Sequence, residues 1–104
     1  MSVNERQLGT YVTEIRRRYE DLLGQMVEIP SISMDPAKAP DMRSMADVAQ
    51  QVLTDLGAEA QIVETGGAPI VSGGWMTGAQ HPTVTIYNHM DVQPAQEPEW
   101  KQAP

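Results

Sequence analysis

The stretch DMRSMADVAQQVLTDLG, residues 41–57, has the pattern of a helix with one apolar face. Apolar side chains recur in it every three or four residues, as such a helix requires. They are Met42, Met45, Ala46, Ala49, Val52, Leu53 and Leu56. Asp41 follows Pro40 and is predicted to be the N-cap, while Gly57 suits the left-handed C′ position. The stretch therefore predicts an amphipathic helix that packs on a neighbouring layer.

The segments on either side supply a hairpin and a first helix. AEAQIVE (58–64) and IVSGGWM (70–76) have strand character and flank the turn sequence TGGAP, which predicts an antiparallel hairpin. An apolar stripe from Leu8 to Val27 predicts a long helix that ends before Pro30, because a residue preceding proline disfavours the helical conformation. IPSISMDPAKAP (29–40) is then predicted to be an extended loop.

The segment TVTIY, residues 83–87, is β-branched and aromatic, which is typical of a buried strand. With it, the predicted order is helix, helix, strand, strand, strand. This order indicates an α/β fold in which helices pack on a sheet. The segment that follows the last strand is polar and rich in proline, so one edge of the predicted sheet has no obvious cover.

Composition excludes several classes of function. A length of 104 residues suits one small domain or a piece of a larger one, and without phenylalanine the core must come from aliphatic residues, alanine and seven methionines. Fourteen acidic and seven basic residues give a net charge of −7, which argues against a nucleic-acid or anionic-membrane surface. The chain has no cysteine, no signal-peptide pattern and no apolar run long enough for a membrane span. We predict a soluble, cytoplasmic protein.

His89 and Asp91 follow the predicted last strand and are the candidate site residues. Residues two apart in an extended segment point to the same side, so the two side chains can meet. A neutral imidazole is a good metal ligand, and a carboxylate on its other ring nitrogen fixes the tautomer. The same spacing also fits a structural pair. The spacing alone therefore leaves open a metal or catalytic role and a purely structural one.

The residues around this pair carry a resemblance. Tyr87, His89, Asp91, Val92 and Pro94 are in register with Tyr-Gly-His-x-Asp-Val-x-Pro, the first metal-site motif of the M20 zinc peptidases, and Trp100 and Pro104 follow. The earlier IPSIS loop and the helix ending in LTDLG are similar to landmarks of the same family. The resemblance covers nearly the whole chain and looks most like the dipeptidase branch, with deacetylase and desuccinylase branches as alternatives.

The resemblance implies both fold and chemistry. It implies that residues 1–104 are the N-terminal part of a three-layer α/β/α catalytic domain, whose remainder and whose lid or dimerisation domain lie elsewhere. His89 would be a zinc ligand, and Asp91 the catalytic-site carboxylate that orients it. The site would hold two zinc ions and hydrolyse a peptide or N-acyl amino acid by metal-activated water. The remaining ligands and the general base are not in this chain, so we expect the chain alone to be inactive.

Several points stay open at this stage. A homodimer of the full-length protein is compatible with the resemblance, and a non-catalytic acidic interaction module derived from the same fold is the alternative function. Asn88 and Met90 depart from the family pattern without removing a ligand.

Five further residues are predicted to have ordinary roles. His81, Glu97 and Glu99 are expected at the solvated surface, and Trp75 and Trp100 are expected to pack.

Overall fold

Residues 2–104 are described by the computed structural model. The elements are, in chain order, α1 (Glu5–Glu28), a 3-10 turn (Pro36–Lys38), α2 (Ala39–Asp55), β1 (Glu59–Val63) and β2 (Ile70–Gly74). α1 begins at a capping box, in which the Asn4 side chain accepts from the Gln7 amide and the Gln7 side chain accepts from the Asn4 amide. It ends two residues before Pro30, as predicted.

α2 carries the apolar face that the sequence predicts. Met42, Met45, Ala46 and Ala49 are buried, and Leu56 at the C-terminal end is exposed. Gly57 has a φ of 87°, which confirms its left-handed C′ position.

The N-terminus of α2 differs from the prediction. Asp41 is not the N-cap, because the helix begins at Ala39 and its N-cap, Lys38, makes no side-chain capping hydrogen bond. The Asp35 side chain instead accepts from the Ala37 amide and caps the preceding 3-10 turn, which runs directly into α2. Pro40 fits this arrangement because first-turn amides have no intrahelical acceptor to lose.

β1 and β2 form the predicted antiparallel hairpin, with Ala60 opposite Gly73 and Ile62 opposite Val71. α2 packs on the face of the hairpin that carries these four residues. Gly73 allows the close approach at this contact, since a Cβ there would lie 2.9 Å from Leu53 Cδ1 and would force that side chain to shift. The buried apolar side chains are few and come only from the methionines and alanines of the predicted core set, with no buried valine, isoleucine or leucine among residues 2–104. They are Met42, Met45, Ala46, Ala49 and Ala58.

α1 stands apart from this core. No residue of α1 is buried, although its apolar stripe has the predicted spacing. Tyr11, Ile15 and Leu22 of α1 face Val52 of α2 and its C-cap residue Leu56 across an open cleft. The helix is therefore amphipathic without a tightly packed partner among residues 2–104.

The predicted buried strand at residues 83–87 is wrong. This segment has no regular secondary structure, and Val84, Ile86 and Tyr87 are 83%, 79% and 89% exposed. Within residues 2–104 no backbone hydrogen bond joins residues 83–88 to another segment. Strand propensity depends on a neighbouring strand and a covering layer, and this segment has neither here.

The α/β class is confirmed to the extent that a helix packs on an antiparallel pair of strands. The larger three-layer domain stays a prediction. In the described part of the chain, no helix combines the length and apolarity that crossing a membrane would need.

Candidate metal site

The loop after α1 holds the segment that contains the candidate site residues. The Val92 amide donates a hydrogen bond of 3.0 Å to the carbonyl oxygen of Ser31. Ser31 is fully buried, and the Ile32 amide donates to the Pro30 carbonyl, so the loop is compact at this point. The contact joins parts of the chain about 60 residues apart and places residues 89–92 beside the end of α1.

His89 and Asp91 meet as their spacing predicts. Nδ1 of His89 lies 3.2 Å from Oδ1 of Asp91. The imidazole is 81% exposed, whereas the Asp91 side chain is 26% exposed. The carboxylate is therefore the sheltered member of the pair, and the ring projects into solvent.

Ser33 makes a second contact with the same carboxylate, which the sequence analysis did not identify. Its hydroxyl donates to Oδ2 of Asp91 at 2.6 Å. Each oxygen of Asp91 therefore has its own partner, Oδ2 with Ser33 and Oδ1 with His89. Only the IPSIS resemblance pointed to this loop, and no spacing rule connects a serine to a carboxylate 58 residues later.

These contacts also change the acidity of Asp91. The hydrogen bond from the Ser33 hydroxyl is the largest influence on the pKa of the Asp91 carboxyl and holds it below its usual range. Burial opposes this effect, and the hydrogen bond and charge of His89 add to the lowering. Asp91 is consequently ionised at neutral pH. An ionised carboxylate can only accept hydrogen bonds, so Nδ1 of His89 must carry the proton that points to it.

The residues present fit one half of a metal site. With the proton on Nδ1, the lone pair of the neutral imidazole is on Nε2, which faces solvent and is the usual position for metal binding. Among residues 2–104, however, no group of three or more histidine, cysteine, aspartate or glutamate side chains is placed to hold a metal ion. The chain thus offers one metal ligand and the carboxylate that orients it, whereas stable metal sites in proteins use three or four protein ligands.

The remaining residues selected from the sequence lie away from this pair. His81 and Glu99 are exposed, as predicted. Glu97 is also exposed and accepts a hydrogen bond of 2.9 Å from the indole of Trp100. The Trp75 indole donates to the Leu56 carbonyl at 3.1 Å and so binds the end of α2 to the hairpin. Both indoles are 55% exposed, so they contribute less packing than predicted.

Comparison with known proteins gives two curated relatives of one kind. The chain is 37% identical over 83 residues to the Cys-Gly metallodipeptidase dug1 of Schizosaccharomyces pombe, covering 70% of the chain and 17% of the relative. It is 30% identical over 107 residues to the Cys-Gly metallodipeptidase DUG1 of Candida albicans, covering 89% of the chain and 22% of the relative. The chain spans about a fifth of the length of these relatives.

No family model and no solved structure matches the chain. The matches to the two dipeptidases nevertheless cover 70% and 89% of this sequence, and both relatives are named as metallodipeptidases. Over the matched residues, these relatives support an M20 metallopeptidase relationship for this chain.

Proposed function

We propose that this chain is the N-terminal part of the catalytic domain of a zinc-dependent dipeptidase and that it supplies one metal ligand, His89. The observation that carries the proposal is the arrangement of one imidazole and one carboxylate, with Nδ1 of His89 on Asp91 and Nε2 open to solvent. The names of the two relatives support a metal-dependent dipeptidase. Zinc is our choice of metal because neutral imidazole nitrogen is among its preferred ligands.

In this proposal the residues of the chain bind and orient and do not themselves react with the substrate. The bound metal supplies polarisation of the scissile amide carbonyl and acidification of the attacking water. Asp91 keeps the His89 proton on Nδ1 and raises the basicity of Nε2. The substrate class is a dipeptide or an N-acyl amino acid, with Cys-Gly as the first candidate because both relatives carry that name.

The chain exposes more surface than a compact protein of its size, which supports a place in a larger catalytic domain. The accessible surface is 9091 Å². A compact protein of 11.4 kDa is expected to expose only about 5,800 Å². The excess includes the apolar stripe of α1 and the segment 83–88. We propose that further polypeptide of the complete enzyme covers both.

A chimeric enzyme tests the proposed function. In it, this chain replaces the segment of the Schizosaccharomyces pombe dipeptidase to which it aligns, and hydrolysis of Cys-Gly is measured. We expect metal-dependent hydrolysis, and we expect His89→Ala to reduce it by more than about 100-fold, since changes to outer-shell partners alone cost about 10–100-fold. His81→Ala is the matched control and should leave the rate unchanged. An active chimera that tolerates His89→Ala would contradict the proposal.

The 104-residue chain alone is expected to show no zinc-dependent peptidase activity, because one ligand and one orienting carboxylate do not make a stable site. The assay is hydrolysis of Cys-Gly by the purified chain with added zinc. Hydrolysis that His89→Ala abolishes would contradict this expectation.

A second candidate function is a non-catalytic interaction module, which the exposed apolar stripe of α1 favours. Sedimentation and thermal unfolding of the chain distinguish the two candidates. A defined oligomer with a cooperative melt would favour the module. A monomer, or a chain that aggregates or melts without cooperativity, would favour a piece of a larger catalytic domain.

A further inference from the structure

We propose that Ser33 is a positioning residue of the metal site, which sets the tautomer of His89 through the carboxylate of Asp91. The proposal rests on the proposed function, because a fixed tautomer matters only if Nε2 binds a metal. Its structural basis is the continuous set of hydrogen bonds from the Ser33 hydroxyl to Oδ2 of Asp91 and from Nδ1 of His89 to Oδ1.

His89 has few contacts that could orient its ring besides the one with Asp91. Its ring is 81% exposed, and within residues 2–104 its hydrogen-bond partner is Asp91. An exposed neutral imidazole in water exchanges between its two tautomers. The ring is therefore held in the metal-binding tautomer only to the extent that Asp91 itself is held.

Asp91 is held in turn by the loop after α1. The carboxylate could turn about its side-chain bonds, and the Ser33 hydroxyl at 2.6 Å from Oδ2 restricts that rotation. The Val92 amide bond to the Ser31 carbonyl fixes the backbone next to Asp91. The Val92–Ser31 hydrogen bond fixes the position of the backbone beside Asp91, and the Ser33 hydroxyl fixes the orientation of the Asp91 carboxylate.

The two serines of the IPSIS loop contribute different chemical groups to this arrangement. Ser31 is fully buried and contributes its carbonyl oxygen, whereas Ser33 is exposed and contributes its hydroxyl. Because Ser33 is exposed, replacing it with alanine leaves no cavity, and replacing it with threonine adds a methyl group that solvent can accommodate. The two changes therefore test the hydroxyl with little disturbance of packing.

The test measures the tautomer of His89 by nitrogen NMR on the metal-free chain at a pH where the imidazole is neutral. We expect the Nδ1–H form to dominate in the native chain. In Ser33→Ala, the ratio of Nδ1–H to Nε2–H should fall, by at most about fivefold, because one net hydrogen bond contributes about 1 kcal/mol and the tautomer equilibrium receives only the part transmitted through Asp91. Ser33→Thr should restore the ratio. Ser72→Ala, a change at an exposed serine of β2, should leave the ratio unaltered.

Three results would overturn the proposal. They are an unchanged tautomer ratio in Ser33→Ala, a ratio that threonine does not restore, and a native chain in which the Nε2–H form dominates. This measurement needs neither metal nor substrate. It can therefore fail while the chimera confirms the proposed function, or succeed while the chimera contradicts it.

A second measurement tests the consequence for metal binding. In the chimera, Ser33→Ala should weaken zinc binding by about tenfold, at the lower end of the effect of outer-shell partners, and Ser33→Thr should recover it. Unchanged zinc affinity in Ser33→Ala would contradict a positioning role.

Discussion

At the residue scale, the carboxylate of Asp91 connects two distant parts of the chain. It accepts from the Ser33 hydroxyl in the loop after α1 and from the ring of His89. The two contacts use different oxygens, so neither displaces the other. An exposed histidine thereby obtains a defined orientation from a loop that lies far from it in sequence.

Glu97 provides a pH test at the same scale. The Trp100 indole donates to its carboxylate and holds the pKa of Glu97 below its usual range. A carboxylate with a lowered pKa in the folded state stabilises the turn above the ordinary glutamate pKa of about 4.3. That stabilisation is lost as the pH falls through the lower folded value.

We therefore expect the carboxyl resonance of Glu97 to titrate with a midpoint below the ordinary glutamate value in NMR spectra of the native chain. In Trp100→Phe the midpoint should rise, because the indole donor is gone while an aromatic ring remains. Equal midpoints in the two proteins would show that the indole bond does not form in solution.

The candidate site shows what spacing can and cannot predict. His89 and Asp91 are two residues apart, and their contact follows from the geometry of an extended backbone. The part played by Ser33 could not be predicted in this way. It depends on how residues 31–33 dock against residues 91–92, and docking between distant segments leaves no periodic signal in the sequence.

At the element scale, the packing of α2 on the hairpin depends on a glycine. A Cβ at Gly73 would lie 2.9 Å from Leu53 Cδ1, whereas one at Gly74 would meet no atom within 4 Å. Leu53 is half-buried, so its side chain can move partly out of the way.

We expect Gly73→Ala to lower the free energy of unfolding by about 1 kcal/mol, at the lower end of the cost of overpacking. Gly74→Ala, one residue further along β2, should be neutral or slightly stabilising, because alanine loses less backbone entropy on folding. Chemical denaturation of the two variants measures the difference. Equal stabilities would contradict the close contact between Leu53 and Gly73.

The elements also differ in how far sequence determines them. α2 and the hairpin formed as predicted because their partners are near in sequence and lie within residues 2–104. The segment 83–87 has equally strong strand character and forms no strand, because a strand also needs a hydrogen-bonding neighbour. Local pattern therefore predicted both helices, whose backbone hydrogen bonds are internal, and the two strands whose pairing partner is present.

At the scale of the whole molecule, the chain is more extended than a compact domain of its length. Its radius of gyration is 16.9 Å, against about 13 Å for a compact protein of 100 residues. α1 contributes to this, since its apolar side chains are exposed or half-buried. The apolar pattern of α1 thus predicts its helix correctly but not a buried position in this chain.

Leu23 of α1 is exposed in this chain, whereas Met45 of α2 lies in its core. Alanine substitutions at the two positions therefore test which apolar surface is covered in the chain alone and which is covered only in the chimera. In the chain alone, Leu23→Ala should change stability by less than about 0.5 kcal/mol, as is usual for surface positions. Met45→Ala, at a side chain that is 1% exposed, should cost about 2–5 kcal/mol. In the chimera, Leu23→Ala should also cost more than about 1 kcal/mol, because we propose that further polypeptide covers α1 there. A neutral effect in both proteins would contradict that cover.

The metal content of the chimera tests the central claim most directly, because a ligand must affect the amount of metal bound. Zinc per chain is measured by mass spectrometry after dialysis, for the native chimera, His89→Ala and the control His81→Ala. We predict that His89→Ala retains less zinc than the native chimera and that His81→Ala retains the same amount. A His89→Ala chimera with full zinc content and full Cys-Gly hydrolysis would contradict the assignment of His89 as a metal ligand.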